Sequence, residues 1–550
     1  MKKSIIISTF AALAIVSTSC NPDLLNIPQM GVTSEETFYV TDEDCEQATA
    51  AVYNASRKVL TGKPSIGSYE NAFFLKNLLS DDIRTGSTRT DQTNLQQIWE
   101  MHLVTTNDWF RIIYDEYYSS IYLANLVLEK FNPEDSEIKA RNIAECRGLR
   151  ALSYYDLVTL WGRVPLVTKV LKTADEFQVE NTEIAEIWKF IEDELNDIIK
   201  GGKLTQRQGI GDKNGSARFT IDAARTLLGK AYMYQGKYAE AKTVLTDVIK
   251  SGNFDLISDI TTFYHPQANG CEEYVYEHVR HYDMSTAYDQ DGWHGILWNW
   301  PFALGFNMGS DAKNFYKFNA QGYSQCQVPK DLYDAFVAEE GVDGMRVNAW
   351  IVPITKFPEI GIGMAAEKTY YNSEGYLRLK WLASTDDENV SMWHANQSNT
   401  PVFKYDDVLL LAAEACVQTG DNSTALKYVN KVRARVNLAP ISDINMDIIK
   451  KERRLELAMD GVRFQDLKRW GDAPKVLAEK SKMLPYLTVS PDPSNDPNDG
   501  TYHSWKYSFK LEYKPNNYDD HSWTVGRDDY LPFPQNEIDV NKKLQQNPGY

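Results

Sequence analysis

Three tryptophans, Trp293, Trp298 and Trp300, fall within eight residues of one another in the stretch DGWHGILWNWP. Indole rings clustered among Gly, Asn and His, away from any helical period, are hard to bury together and serve as a recognition surface. Such a surface also needs hydrogen-bonding groups. Residues 80–94, SDDIRTGSTRTDQTN, carry them as Asp81, Asp82, Arg84 and Arg89 on a polar, unperiodic loop. That loop reads equally well as a ligand-contacting rim and as a solvated connection.

A second concentration of charge lies at residues 447–471, DIIKKERRLELAMDGVRFQDLKRWG. Apolar Ile448, Ile449, Leu455 and Met459 recur at helical spacing, Asp460-Gly461 interrupts them, and the pattern resumes through Val462, Leu467 and Trp470. This predicts two short helices across a Gly corner. Glu452, Arg453, Arg454, Glu456, Arg463, Asp466 and Arg469 include several pairs three or four residues apart. So many guanidinium groups beside carboxylates make either an anion site or a network locking the helices together. We expect the network, with Arg463 paired to Glu456 or Asp466.

No catalytic constellation accompanies these residues. HExxH is absent; His278-x-x-His281-x-Asp283 sits in a predicted strand; Gly322-Tyr323-Ser324-Gln325-Cys326 lacks the second glycine of a nucleophile elbow; and no phosphate loop precedes Gly229-Lys230. The acidic stretch 490–500, SPDPSNDPNDG, does not have EF-hand spacing and reads as a surface loop. The expectation is a binding protein with no metal and no cofactor. A formal charge of -18 argues against nucleic acid, whose phosphates need a basic face.

The elements that must position these residues follow from the rest of the chain. Lys2 and Lys3, an apolar run of 12 residues (5–16) too short to span a bilayer, and Ser17-Thr18-Ser19-Cys20 predict an export signal over 1–19 with lipid on Cys20. The cysteines at 45, 146, 271, 326 and 416 have neither metal spacing nor the look of a disulfide framework. Residues 33–253 read as helices with one flexible, Gly-rich interruption at 201–216. Laying Asp222 on Asp406 aligns Gly229 with Ala413, Tyr232 with Cys416, Gly236 with Gly420, Ala241 with Ala425 and Leu245 with Val429. These are the small and apolar positions of the tetratricopeptide helix pair. Between the two copies, residues 254–400 lose helical period and hold six of the 13 tryptophans. The predicted fold is mainly α, a superhelix of helix pairs with a long loop-rich insertion.

Five stretches then resemble the SusD/RagB family of outer-membrane lipoproteins: CNPDLL at 20–25, RGLRALSYYDLVTLWGRVPLV at 147–167, FKYDDVLLLAAEA at 403–415, the 447–471 stretch, and YLPFPQNEIDVNKKLQQNPGY at 530–550. Lys404 stands where the family usually has Arg, Asp460 where it has Glu, Val462 where it has His and Phe464 where it has Trp. The resemblance implies one domain over 20–550, with a helical scaffold at about 33–253 and 401–480 and an irregular ligand-binding half at about 254–400 and 481–550. It also implies a non-catalytic, lipid-anchored partner of a SusC-like TonB-dependent transporter, facing the cell exterior and binding a glycan oligosaccharide. In some relatives the ligand is a peptide or glycopeptide, and a tetratricopeptide scaffold without its own ligand stays open. By position and chemistry the expected contacts are Trp293, Trp298, Trp300, Trp99, Arg84 and Asp82, with Tyr323 in a segment similar to the rim of family sites.

Overall fold

Helix starts along the chain are fixed by side chains that stand in for missing intrahelical acceptors. In the computed structural model, which describes residues 38–62, 70–279, 307–308, 326–381, 398–517 and 523–550, Thr41 opens α1 (Asp42–Thr61) with a capping box. Its hydroxyl accepts from the Asp44 N–H, and the Asp44 carboxylate accepts from the Thr41 N–H. Asn71 caps α2 (Ala72–Leu79), α3 spans Thr93–Trp99, Asn107 caps α4 (Asp108–Lys130) and Ser136 caps α5 (Glu137–Trp161). α1, α4 and α5 pack on one another, and α6 (Ile184–Gly201) lays an Ile187, Ile191, Leu195, Ile198 stripe against α5. α7 (Ile221–Tyr234) and α8 (Tyr238–Lys250) form an antiparallel hairpin.

β1 (Tyr274–His278) then leaves the scaffold. The described insertion holds β2 (Asn307–Met308), α9 (Lys330–Glu340), α10 (Met345–Trp350), β3 (Ile351–Pro353), β4 (Ile362–Gly363), β5 (Lys368–Tyr371) and β6 (Tyr376–Arg378). β7 (Thr400–Lys404) returns antiparallel to β1, Tyr274 opposite Lys404 and His278 opposite Thr400, so one ribbon closes the base of the insertion. α11 (Tyr405–Gln418) and α12 (Asn422–Arg435) make the second hairpin. α13 (Met446–Glu456), α14 (Arg463–Arg469) and α15 (Ala473–Leu477) follow, then the hairpin of β8 (Met483–Pro491) and β9 (Tyr507–Pro515), and α16 (Gln535–Val540). Sixteen α-helices against nine strands among the described residues, all but β8 and β9 of five residues or fewer, make the fold mainly α, as expected.

The repeat alignment is borne out in space. Gly229 and Ala413 are the small positions of the two hairpins, and a Cβ on Gly229 would stand 2.5 Å from Cδ2 of Leu245, on the second helix of the same hairpin. Two expectations need correction. The insertion is not free of helix, since α9 and α10 lie inside it; α9 buries only Leu332 and Phe336, too narrow a stripe to register as periodicity. The 201–216 segment is not a loose linker either. Arg207 is 1% exposed and donates to the carbonyls of Gly209, Ile210, Gly270, Cys271 and Tyr274 at 2.9–3.2 Å, tying the segment to the base of β1.

The main core runs from Cys45 to Leu544 and takes in Trp350 and Trp381 of the insertion. A smaller core of Val352, Ile354, Phe357, Ile362, Met364, Tyr370, Leu377, Leu487 and Val489 lies under a sheet ordered β5-β8-β9. No helix among the described residues is long and apolar enough to cross a membrane.

The recognisable motifs meet in this core. The Trp161 indole N–H donates to the Pro532 carbonyl at 3.0 Å, and the Asn547 amide to the carbonyls of Trp161 and Leu531, so the C-terminal motif clamps the end of α5. Arg453 grips Asp466 through two nitrogens (2.9 and 3.1 Å) and Asp407 through the third (2.9 Å); Arg469 grips Glu414 and Asp466. Lys404 and Asp460, two of the departures from the family pattern, are each other's partners at 2.8 Å.

Candidate functional site

Of residues 80–94, expected as a ligand rim or a solvated connection, Thr93 and Asn94 open α3 and the loop proper is 80–92. It has something of both: Thr88, Thr90 and Gln92 are exposed, while the Asp81, Asp82, Arg84 and Arg89 side chains are engaged within the fold. The Asp81 carboxylate accepts from Arg463 Nε (2.8 Å) and Nη2 (3.1 Å) and lies 3.0 Å from Arg454. Asp82 is 1% exposed and accepts from the Met459 N–H at 3.1 Å. Burial and the adjacent Asp81 carboxylate push the Asp82 carboxyl up to about 6, with Arg454 and Arg463 opposing. Arg89 pairs with Glu100 at 3.1 Å. The loop is therefore a seam, fastened on one side to residues 447–471.

On its other side the seam joins the irregular half. Arg84 and Gln327 exchange backbone hydrogen bonds (2.7 and 2.9 Å), Arg84 Nη1 donates to Asn372 Oδ1 at 3.3 Å, and Arg84 Nε lies 3.2 Å from Glu374. Trp99 is 1% exposed, its indole N–H donating to the Ile83 carbonyl at 3.1 Å and its face covered by Arg84 and Lys480. Trp99 and Asp82 are thus corrected from ligand contacts to core residues: each is fully enclosed because the helical clasp and the insertion close over the loop from both sides. Of the expected contacts among the described residues, Arg84 alone keeps some exposure. Trp293, Trp298, Trp300, Tyr323 and Cys20 lie outside the described residues.

Arg463 also differs from expectation. Glu456 is taken by Arg346 and Arg435, and Asp466 by Arg453 and Arg469, so Arg463 reaches Asp81 instead. Arg463→Ala removes two hydrogen bonds but leaves Asp81 its Arg454 partner, and should lower unfolding stability by about 1–2 kcal/mol. Denaturant unfolding checks the cost. Ligand affinity of the folded fraction should stay unchanged.

Beside Arg84, whose side chain is 16% exposed, two aromatic rings reach the surface. Tyr333 of α9 and Tyr376 of β6 stack with ring centroids 4.3 Å apart, both half-buried. Glu374 between them and the seam accepts from the Lys330 N–H (2.6 Å) and from the Tyr513 hydroxyl (2.5 Å). Burial, with Asp334, Tyr333 and Glu374 nearby, pushes Tyr376 up to about 12, and burial with Glu374 raises Tyr513, so both phenols remain donors. The rings offer a stacking face for a flat polyhydroxylated molecule and Arg84 a donor at its edge, while Glu374, bonded to Arg84, Lys330 and Tyr513, holds these groups in place. The sequence reading missed Tyr333, Glu374, Tyr376 and Tyr513, which only the packing of α9, β6 and β9 brings together.

Other features carry no such chemistry. A cavity of about 60 Å³ lined by Lys76, Tyr117, Asp156, Lys230 and Gln465 has room for a water or two rather than a ligand. No group of three or more His, Cys, Asp or Glu side chains among the described residues could hold a metal ion. In the 490–500 loop Asp492 and Asp499 accept from Ser494, Thr501 and Ser504, so these carboxylates brace the turn.

Two family models match the chain: "SusD family" over residues 359–550 and "Starch-binding associating with outer membrane" over residues 41–233. Among curated relatives, SusD-like protein P38 of Formosa agariphila is 27% identical, covering 84% of this chain and 90% of the relative. A SusD-like protein of Bacteroides ovatus is 23% identical over 100% of this chain and 98% of the relative. Among solved structures, a laminarin-binding SusD-like protein matches with a TM-score of 0.70 and 26% identity, over 92% of this chain and 99% of the other. Surface glycan-binding protein A of Bacteroides thetaiotaomicron, in complex with laminarihexaose, matches in fold with a TM-score of 0.68 at 21% identity, over 92% and 100%. The motifs that interlock at the core of this fold and both family models agree: the chain belongs to the SusD family.

Proposed function

We propose that this chain is a non-catalytic glycan-binding lipoprotein of the cell surface, holding an oligosaccharide for a SusC-like TonB-dependent transporter of the outer membrane. The observation that carries the reading is the likeness to a laminarin-binding SusD-like protein across 92% of the chain. The half-buried Tyr333 and Tyr376 rings beside Arg84 support it, since an aromatic face and a nearby guanidinium suit the apolar face and hydroxyls of a sugar. Trp293, Trp298 and Trp300 supply the remaining stacking surface, and lipid on Cys20 the membrane attachment. Each contact is weak, which suits a component that must release its cargo.

Calorimetry against a panel of polysaccharides, laminarin and starch included, tests the reading. Binding to a glycan is expected, and replacing Trp293, Trp298 and Trp300 together by Ala should weaken it roughly tenfold or more without changing the unfolding temperature. Binding of peptides and of no glycan would overturn it. Unchanged nutrient uptake in the triple variant would leave a scaffold that binds only its transporter.

A further inference from the structure

β9 is the outer strand of the β5-β8-β9 sheet, and no other described strand pairs with its free edge. Directly opposed residues of an antiparallel pair share a face. The register therefore puts Met483, Tyr513, Leu511 and Phe509 on the face where Leu487 and Val489 cover the smaller core. These four overhang that core and are 43%, 47%, 37% and 38% exposed. The other face carries Ser508, Lys510, Glu512 and Lys514. A long edge strand with an apolar face is a template for another strand.

Which strand it fits is written in its own sequence, YSFKLEYKP. We infer that β9 pairs antiparallel with β9 of a second copy of this chain, about a two-fold axis at Leu511. In that register Lys510 faces the partner subunit's Glu512 and Glu512 faces the partner subunit's Lys510. Phe509 faces the partner subunit's Tyr513, and Leu511 meets the partner subunit's Leu511. Centring the axis on Lys510 or Glu512 sets like charges opposite each other, so charge selects the Leu511 register. Within one copy Lys510 and Glu512 already lie 2.8 Å apart, held where the partner's pair can join them. The two sheets become one of six strands, and the apolar stripe doubles into a continuous face. An edge lysine ordinarily discourages pairing with other chains; here the glutamate two residues on neutralises it for an identical strand only.

The test uses the full mature lipoprotein in detergent and in outer-membrane vesicles. Leu511→Cys should cross-link to a dimer with a short bis-maleimide. Ser508→Cys, also exposed but displaced by six residues or about 20 Å from its own copy, should not. In sedimentation, Lys510→Glu should weaken the dimer about tenfold, two attractive cross-strand pairs having become repulsive, and Lys510→Glu with Glu512→Lys should restore it. A wild-type monomer, cross-linking of Ser508→Cys as fast as Leu511→Cys, or no rescue by the double reversal would each overturn the inference. So would a Leu511→Cys thiol shielded from maleimide in a monomer, which would mean that another part of the same chain occupies the edge.

Discussion

Arg346→Met should lower unfolding stability by about 4–5 kcal/mol at neutral pH, enough to unfold a marginal protein at growth temperature. The side chain is fully buried, and its nitrogens meet three carboxylates: Glu340, Glu452 at 2.9 Å and Glu456 at 3.0 Å. Two of these have a second cation, Arg433 for Glu452 and Arg435 for Glu456. Glu340 loses its guanidinium and keeps only the backbone N–H of residue 346, so it bears most of the cost. Its carboxyl is already raised by burial, with Arg346 as the main opposing influence. Removing that cation raises it further. The variant's deficit should then be largest above the new folded-state value and shrink as pH falls and Glu340 protonates. Urea unfolding from pH 5 to 8 reads this directly, and Glu340→Gln added to Arg346→Met should recover part of the loss. A deficit that does not vary with pH would mean that lost packing, rather than an uncompensated carboxylate, is responsible.

The same chemistry explains what could be read from sequence. Helix pairs announce themselves locally: Gly229 and Leu245 lie in one hairpin, and the second copy at Ala413 and Val429 repeats the spacing, so period and composition suffice. The 447–471 stretch was legible as a charge network from its composition, but inside it only Asp466 is paired, with Arg453 and Arg469; Glu452, Glu456 and Arg454 find Arg433, Arg346, Arg435 and Asp331 in other elements. The partner of Arg463 was not legible either. Asp81 lies 382 positions away, and nothing in the chemistry of either residue distinguishes that pairing from the nearer Glu456 or Asp466 until those two are seen to be taken. The candidate site failed for the same reason. Tyr333, Glu374, Tyr376 and Tyr513 come from a helix, a turn, a short strand and an edge strand, and each alone is an ordinary surface residue. Trp99 misled in the opposite direction: a Trp just after a polar loop looked available, whereas the loop is a seam and the ring lies beneath it. Composition ranks chemical capability, and only packing decides what remains open to solvent.

Gly270→Ala should be nearly as damaging, by a different route. At φ +67° residue 270 occupies the left-handed region, which alone costs an L side chain about 1–2 kcal/mol. The added Cβ would also lie 2.0 Å from the Lys213 carbonyl oxygen and within 3 Å of two more Lys213 backbone atoms. No rotamer relieves a clash with backbone, so the 209–216 segment must move. Moving it pulls on the carbonyl cage of Arg207 and on Glu277, which accepts from the Gly270 N–H at 2.9 Å and the Ser216 hydroxyl at 2.8 Å. A total of about 3–4 kcal/mol is expected. The damage should begin locally, since these bonds fasten the base of β1 rather than the helix pairs. Hydrogen exchange at 207–216 and 270–278 should therefore rise well before exchange in α7 and α8 does. Gly211→Ala, where nothing lies within 4 Å of the added carbon, should leave both stability and exchange unchanged. Uniform acceleration across the scaffold in Gly270→Ala would show that the 201–216 segment and the helix pairs unfold as one unit, and that the Arg207 cage is not a separable joint between them.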